Sequence, residues 1–392
     1  MPDNASRFIG AFTGFAVGDA YGLPSRRMTF EEICRRFEPN GCLRLPLEEK
    51  TKTALFSDAT QLMLFTVDGL LWAVLSEQEN ASEQGIDYAE YVFYALQMWL
   101  HTQRNEVAGE YAWLLDKNRC KYRSKLIRTK GMRQVRSADT VTADALAAMR
   151  NGMFGSISRP CNELCDSGGM KRVLPVGLFF SFNSEYAFRA GADFAAITHG
   201  HPLSYLSAGV YAAVIAEVTR GESMDDALAN ALALLRTYRK HVDVAEMLEL
   251  VIACLADEKL SPVDALSQIV ETGKYLAPVG AYGDWSAVTV LGTVLYCAAL
   301  HEDSYTDAIA LAVNTDGPGD TCGAMVGGLL GAYHGADFIP KKWVTKLSLL
   351  RLVEDMAISL VENSYFAEEE ESGVETSEEE DALDNPEEEI EI

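Results

Sequence analysis

The sequence predicts an all-α protein, a single compact multi-helix bundle over residues 1–366 followed by an acidic tail at 367–392. Three observations predict it. Apolar residues recur at helical spacing through most of the chain, while strand-like alternation is scarce. A 48% apolar fraction with 23% charged residues is enough for one large core. The tail after Phe366 has too few apolar residues to order itself, so the folded unit is expected to end near there.

The elements read as follows. Residues 10–22 mix small and apolar residues in the way of a helix packed against close neighbours. Residues 58–76 form a long apolar-periodic stretch with Asp58 near its start. The stretches 88–102, 206–220, 223–236, 244–258, 286–301 and 321–334 carry the same period. Gly- and Pro-bearing stretches at 151–176, 275–285 and 314–320 read as loops. Residues 115–140 are the basic part of the chain: a solvated loop and helix surface, or an anion or partner site.

Charge and cysteine usage exclude several classes. The tail holds 14 acidic residues and no Lys or Arg, so it supplies more than half of the net charge of −25 and leaves −11 on the body. Acidic surfaces repel phosphate backbones, which argues against general nucleic-acid binding. The opening MPDNASRFIG has no basic n-region or apolar h-region. The uncharged run from Pro202 to Ala216 is too short to span a membrane. The expectation is a cytoplasmic protein whose eight cysteines are free thiols. Cys161 and Cys165 have a C-x3-C spacing, but no second Cys/His pair nearby completes a zinc site.

Five segments, in order, carry a family pattern: GAFTGFAVGDAYGLPS at 10–25, FSDATQLMLFTVDGLL at 56–71, DSGGMKRVLPVGLFF at 166–180, ITHGHPLSYLSAG at 197–209 and AVNTDGPGDTCGAMVGGLLGAYHG at 312–335. The chain resembles the ADP-ribosylglycohydrolases over most of its folded part. The resemblance implies a helical bundle with its site at converging helix ends. Two acidic helix starts there hold magnesium ions that bind ribose hydroxyls, position water and polarise a glycosidic bond.

Several family positions are altered. The adjacent aspartate pair at the second segment reads Ser57-Asp58-Ala59-Thr60, so one carboxylate is a methyl group. The Asp-x-Asp-Ser/Thr pattern at the fifth falls on Pro318-Gly319-Asp320-Thr321. The metal-facing glutamate after the opening helix falls on Arg26, and an acidic pair after Gly-Trp falls on Val288 and Thr289. By resemblance, Asp58 and Asp320 are the catalytic candidates, and Ser57, Asp58, Asp320 and Thr321 the metal candidates. Two carboxylates holding two dications leave about two positive charges uncompensated, so the expected cofactor is one Mg²⁺ or none, and a dinuclear centre is disfavoured. Asp316 matches a position behind the ligands.

The remaining candidates keep two readings each. Arg26 either points inward and pairs with Asp58 or Asp320, replacing a cation, or swings to solvent beside Arg27. Ser167, Gly168 and Gly169 either hold a diphosphate or make a tight turn. His199 is a ribose- or phosphate-contacting group or a structural histidine, and His201 a helix cap. Tyr282 and Trp285 stack on adenine or pack in the core. Arg172 reads as a structural ion-pairing residue, Asp19 as a buried-network residue and Cys322 as a small buried one. The resemblance implies ADP-ribose or an ADP-ribosylated protein as ligand. Three readings of function stay open. The first is a hydrolase of ADP-ribose N- or O-glycosidic linkages with its magnesium chemistry impaired. The second is a catalytically inactive protein that binds ADP-ribose or a protein partner, in an immunity or regulatory role. The third is different chemistry using Arg26 in place of a metal.

Overall fold

The computed structural model describes residues 2–364, apart from 38–40, 80–84, 108, 117–118, 123, 137–139, 150–152 and 279–285. Among these residues the structure is all-α, as the sequence predicts, with sixteen α-helices and no strand. In chain order they are α1 (Asn4–Gly22), α2 (Phe30–Arg36), α3 (Asp58–Glu79), α4 (Tyr88–Arg104), α5 (Thr140–Ala148), α6 (Leu174–Phe179), α7 (Ser184–Ala196) and α8 (Pro202–Arg220). There follow α9 (Met224–Leu235), α10 (Val242–Ala256), α11 (Pro262–Leu276), α12 (Ala287–Leu300), α13 (Tyr305–Val313), α14 (Gly319–His334), α15 (Lys341–Val344) and α16 (Leu350–Glu362).

The central contact joins the first helix to the fourteenth. Along α1, Gly10, Gly14, Gly18 and Gly22 recur every fourth residue and face Gly331, Gly327, Gly323 and Gly319 of α14, which runs antiparallel. A Cβ on Gly18 would stand 2.0 Å from the Gly323 carbonyl oxygen, and one on Gly14 2.3 Å from that of Gly327. The two backbones touch because neither helix has side chains along this stripe. The same register sets the C-terminus of α1 beside the N-terminus of α14. At the far end, buried Arg7 donates to the carbonyls of Val218, Ala332 and Tyr333, satisfying the last turns of α8 and α14.

The other long helices close round this pair. Gly69 of α3 meets the backbone of Val92 on α4, and Gly191 of α7 meets Ala208 and Ala212 of α8. Tyr211 of α8 donates to the Met325 carbonyl of α14, and Tyr305 of α13 to that of Gly14. Helix α3 is long and apolar enough to cross a membrane, but 83% of its most apolar window is buried in the core.

Sequence periodicity finds the long helices and misses α2, α5, α6, α7, α11, α13, α15 and α16. Of these, α2, α5, α6, α13 and α15 are nine residues or shorter, too few turns for a period to show. The other three are amphipathic helices carrying several charged residues. Two of the three carry a start signal: Asn183 caps α7, and Ser261, followed by Pro262, caps α11.

Candidate functional site

Three chain segments converge where α1 ends. The first turns out of the helix through the 3-10 turn Leu23–Ser25, where Ser25 Oγ donates to the Gly22 carbonyl at 3.0 Å. Arg27 takes a left-handed conformation, φ 64°, and Met28 pairs antiparallel with Gly317, itself at φ 116°. This sharp reversal swings Arg26 back towards the helix ends. The second segment is the start of α3. The third is Gly317-Pro318 leading into α14 with Asp320 in its first turn.

Asp19, fully buried on α1, organises the α3 start. Its carboxylate accepts the N–H groups of Ser57 and Thr60 at 2.9 and 3.0 Å and the Thr60 hydroxyl at 2.5 Å. These amides belong to the helix N-terminus, which has no intrahelical acceptor for them. Ser57 Oγ takes the Ala59 N–H at 3.1 Å, and the Arg136 carbonyl takes that of Asp58 at 3.0 Å. The end of the basic segment is thus built into the site: Arg136 also donates to the Phe56 carbonyl, and Gln61 to those of Met132 and Gln134.

Arg26 points inward. Its Nη1 lies 2.9 Å from Asp58 Oδ1 and 3.1 Å from Asp320 Oδ2, bridging the two carboxylates. Lys171, on the 3-10 turn Met170–Arg172 that ends the glycine-rich loop, brings Nζ to 2.6 Å from Asp58 Oδ2. All four side chains are enclosed: Arg26 is 10% exposed, Lys171 5%, Asp320 1% and Asp58 0%. Burial works against Arg26's charge, but Asp320 and Asp58 more than offset it and hold its pKa above the ordinary arginine value. Burial raises the Asp320 carboxyl, with Arg26 opposing. Burial and then Asp320 push Asp19 up to about 7, against the hydrogen bonds from Thr60 and Ser57. Asp58 and Asp320 thus face Arg26 and Lys171, two carboxylates against two cations. Within this cluster two buried atoms have no hydrogen-bond partner among the described residues, Arg26 Nε and Asp320 Oδ1.

The candidates read from sequence divide into groups. Arg26, Asp58 and Asp320 are in direct contact, with Ser57 and Thr321 buried beside them. Ser167, Gly168 and Gly169 are buried in a turn: Gly168 N–H donates to Asp166 Oδ1 at 2.9 Å, and the Ser167 carbonyl accepts the Lys171 N–H at 3.0 Å. His199 is fully buried, with Nδ1 2.8 Å from Thr198 Oγ1 and Nε2 3.0 Å from Asp166 Oδ1, so both ring nitrogens are engaged within the protein. His201 caps α8 through the Leu203 N–H. Arg172 donates to the carbonyls of Gly168 and Phe194 and to Thr198. Asp316 accepts the Phe30 N–H at 2.7 Å, fixing the segment that follows Arg26. Tyr282 and Trp285 lie outside the described residues. Sequence reasoning missed Lys171. Its signal was a second basic residue beside Arg172 in an otherwise apolar loop, which solvated-surface logic does not explain.

The comparisons with known proteins agree with this architecture. A model of the family described as ADP-ribosylglycohydrolase matches residues 1–370. The chain is 25% identical over 354 residues to an ADP-ribosyl-[dinitrogen reductase] glycohydrolase of Rhodospirillum rubrum, covering 89% of this chain and 92% of that one. It is 22% identical over 357 residues to an uncharacterized protein of Archaeoglobus fulgidus, covering 91% and 96%. A solved structure described as an ADP-ribosylglycohydrolase-related protein complex is similar in fold, with a TM-score of 0.52 and 22% identity over 93% of this chain and 100% of that chain.

Proposed function

The chain belongs to the ADP-ribosylglycohydrolase family, and from that premise we propose that it recognises an ADP-ribose-bearing ligand, free or on a protein, without metal-dependent hydrolysis. The observation that carries this reading is the double bridge of Arg26 to Asp58 and Asp320.

Magnesium asks for oxygen ligands in near-octahedral array. Here the two carboxylates already share a guanidinium, Lys171 takes a further oxygen of Asp58, and Ala59 and Pro318 supply no side-chain oxygen. A dication entering this site has to displace a buried guanidinium held by two carboxylates, and then sits beside an ammonium. The residue set fits side-chain cations and does not fit magnesium, so no catalytic step is routed through a metal. What the cluster keeps is polar capacity. Asp320 Oδ1 is an acceptor and Arg26 Nε a donor, both buried and unpartnered among the described residues, which suits the hydroxyls of a ribose once the ligand parts the surrounding side chains.

The test is calorimetry with ADP-ribose and Mg²⁺, separately and together, with Asp320→Ala in parallel and a release assay on ADP-ribosylated protein. The expected result is ADP-ribose binding that Mg²⁺ does not change, weakened in Asp320→Ala, with no release of ADP-ribose. Metal-dependent binding together with turnover would instead make the chain a working hydrolase. Absence of ADP-ribose binding would overturn this reading.

A further inference from the structure

A cavity of about 290 Å³ lies between the start of α4, the face of α7 and the loop at 154–156. Part of its wall is aromatic, from Tyr88, Phe154, Phe180 and Tyr186, and Arg189 lines it as well. The rings support one another, with Tyr88 and Phe180 5.4 Å apart edge to face and Phe180 and Tyr186 4.8 Å apart. Two carboxylates join them, Asp87 and Asp193.

The two acids differ in what holds them. Asp87 caps α4, accepting the Ala89 N–H at 3.0 Å. Asp193, a turn along α7 from Arg189, has no hydrogen-bond or ion-pair partner among the described residues. Its neighbour Arg189 lies instead over the Tyr186 ring, 5.0 Å from the centroid. One wall of the cavity therefore already carries a cation on an aromatic face. Asp193 is half-buried, and that burial pushes its carboxyl up to about 6, with Arg189 opposing and Asp87 adding. Aromatic faces attract cations through their quadrupole, and a carboxylate behind them supplies the counter-charge.

We propose that this cavity binds a small organic cation, an ammonium carried on a compact apolar body, with the rings of Tyr88, Phe180 and Tyr186 round the head and Asp193 as its counter-ion. The volume admits several heavy atoms beyond the head group, since a water in the liquid takes up about 30 Å³. The site uses none of the residues of the Arg26 cluster, so it stands or falls independently of the reading above.

The test uses the full chain and two probes, choline and its neutral isostere in which carbon replaces the nitrogen, titrated by calorimetry. Choline is expected to bind and the isostere to bind at least about tenfold more weakly, a factor worth about 1.4 kcal/mol. Asp193→Asn should weaken choline by a similar factor while leaving the thermal unfolding midpoint unchanged or higher, because it removes an unpartnered charge. Arg189→Gln, which removes the competing cation, should not weaken it. No choline binding, equal binding of the two probes, or choline binding unchanged in Asp193→Asn each overturns the proposal.

Discussion

Lys171 Nζ stands 2.6 Å from Asp58 Oδ2, in a setting where neither side chain is more than 5% exposed. A buried ion pair adds little net stability over an apolar pair, yet removing one member leaves the other charged and desolvated. Lys171→Met is therefore expected to destabilise by about 3 kcal/mol, the low end of the usual range because Arg26 still pairs with Asp58. Adding Asp58→Asn should recover part of the loss. Urea unfolding of the single and double variants measures both. A loss under about 1 kcal/mol for Lys171→Met would mean that the ammonium is not holding the site together.

Gly18 faces Gly323 with no room for a methyl group. Gly18→Ala relieves backbone entropy in a helix, worth up to about 1 kcal/mol in its favour. Separating two packed backbones costs more than that, and the proximity of Arg26 to Asp320 depends on their closeness. The variant is expected to lower the thermal unfolding midpoint and, in a folded preparation, to weaken ADP-ribose binding. A midpoint equal to or above that of the parent would contradict the packing described.

Asp68, buried on α3, has its Oδ2 without a partner among the described residues. Burial pushes its carboxyl up to about 7, with Ser124 and Lys125 opposing. In the unfolded chain the group titrates near the ordinary value of about 3.9. Between those values the folded protein holds a proton that the unfolded chain has released. Stability from this group therefore falls as pH rises from about 4 to about 7, and stays low above. Asp68→Asn should raise the unfolding midpoint more at pH values above 7 than at values near 5. A gain that is equal at both pH values, or a loss at the higher one, would show that the burial argument is wrong. Asp19, raised for similar reasons, adds to the same decline in the parent protein.

The fold was legible where sequence period and composition speak for themselves. The small-residue pattern at 10–22 announces close helix contact, and the structure pairs this stretch glycine to glycine with α14. The long apolar runs became α3, α4, α8, α12 and α14. The site was half legible. Asp58 and Asp320 were readable through the family resemblance, while the sequence left Arg26 open between pairing inward and turning to solvent. Lys171 was not, because the 3-10 turn that aims it at Asp58 has no periodic signature. Nor was the part that residues 132–136 play in capping α3: a basic segment reads as solvated surface, whereas here it is the backbone carbonyls of Met132, Gln134 and Arg136 that do the structural work.

Arg26 and Lys171 bring to Asp58 and Asp320 the positive charge that a bound dication would otherwise bring. The most direct measurement is titration of Mg²⁺ and Mn²⁺ into the parent protein and into Arg26→Glu, read by calorimetry and by the shift in unfolding midpoint. Arg26→Glu turns a bridging cation into a third carboxylate beside Asp58 and Asp320, so the variant should be less stable without metal and gain stability as either ion is added. The parent should take up neither ion at this site and show no shift. Saturable binding of Mg²⁺ or Mn²⁺ by the parent, lost in Asp320→Ala, would contradict the account.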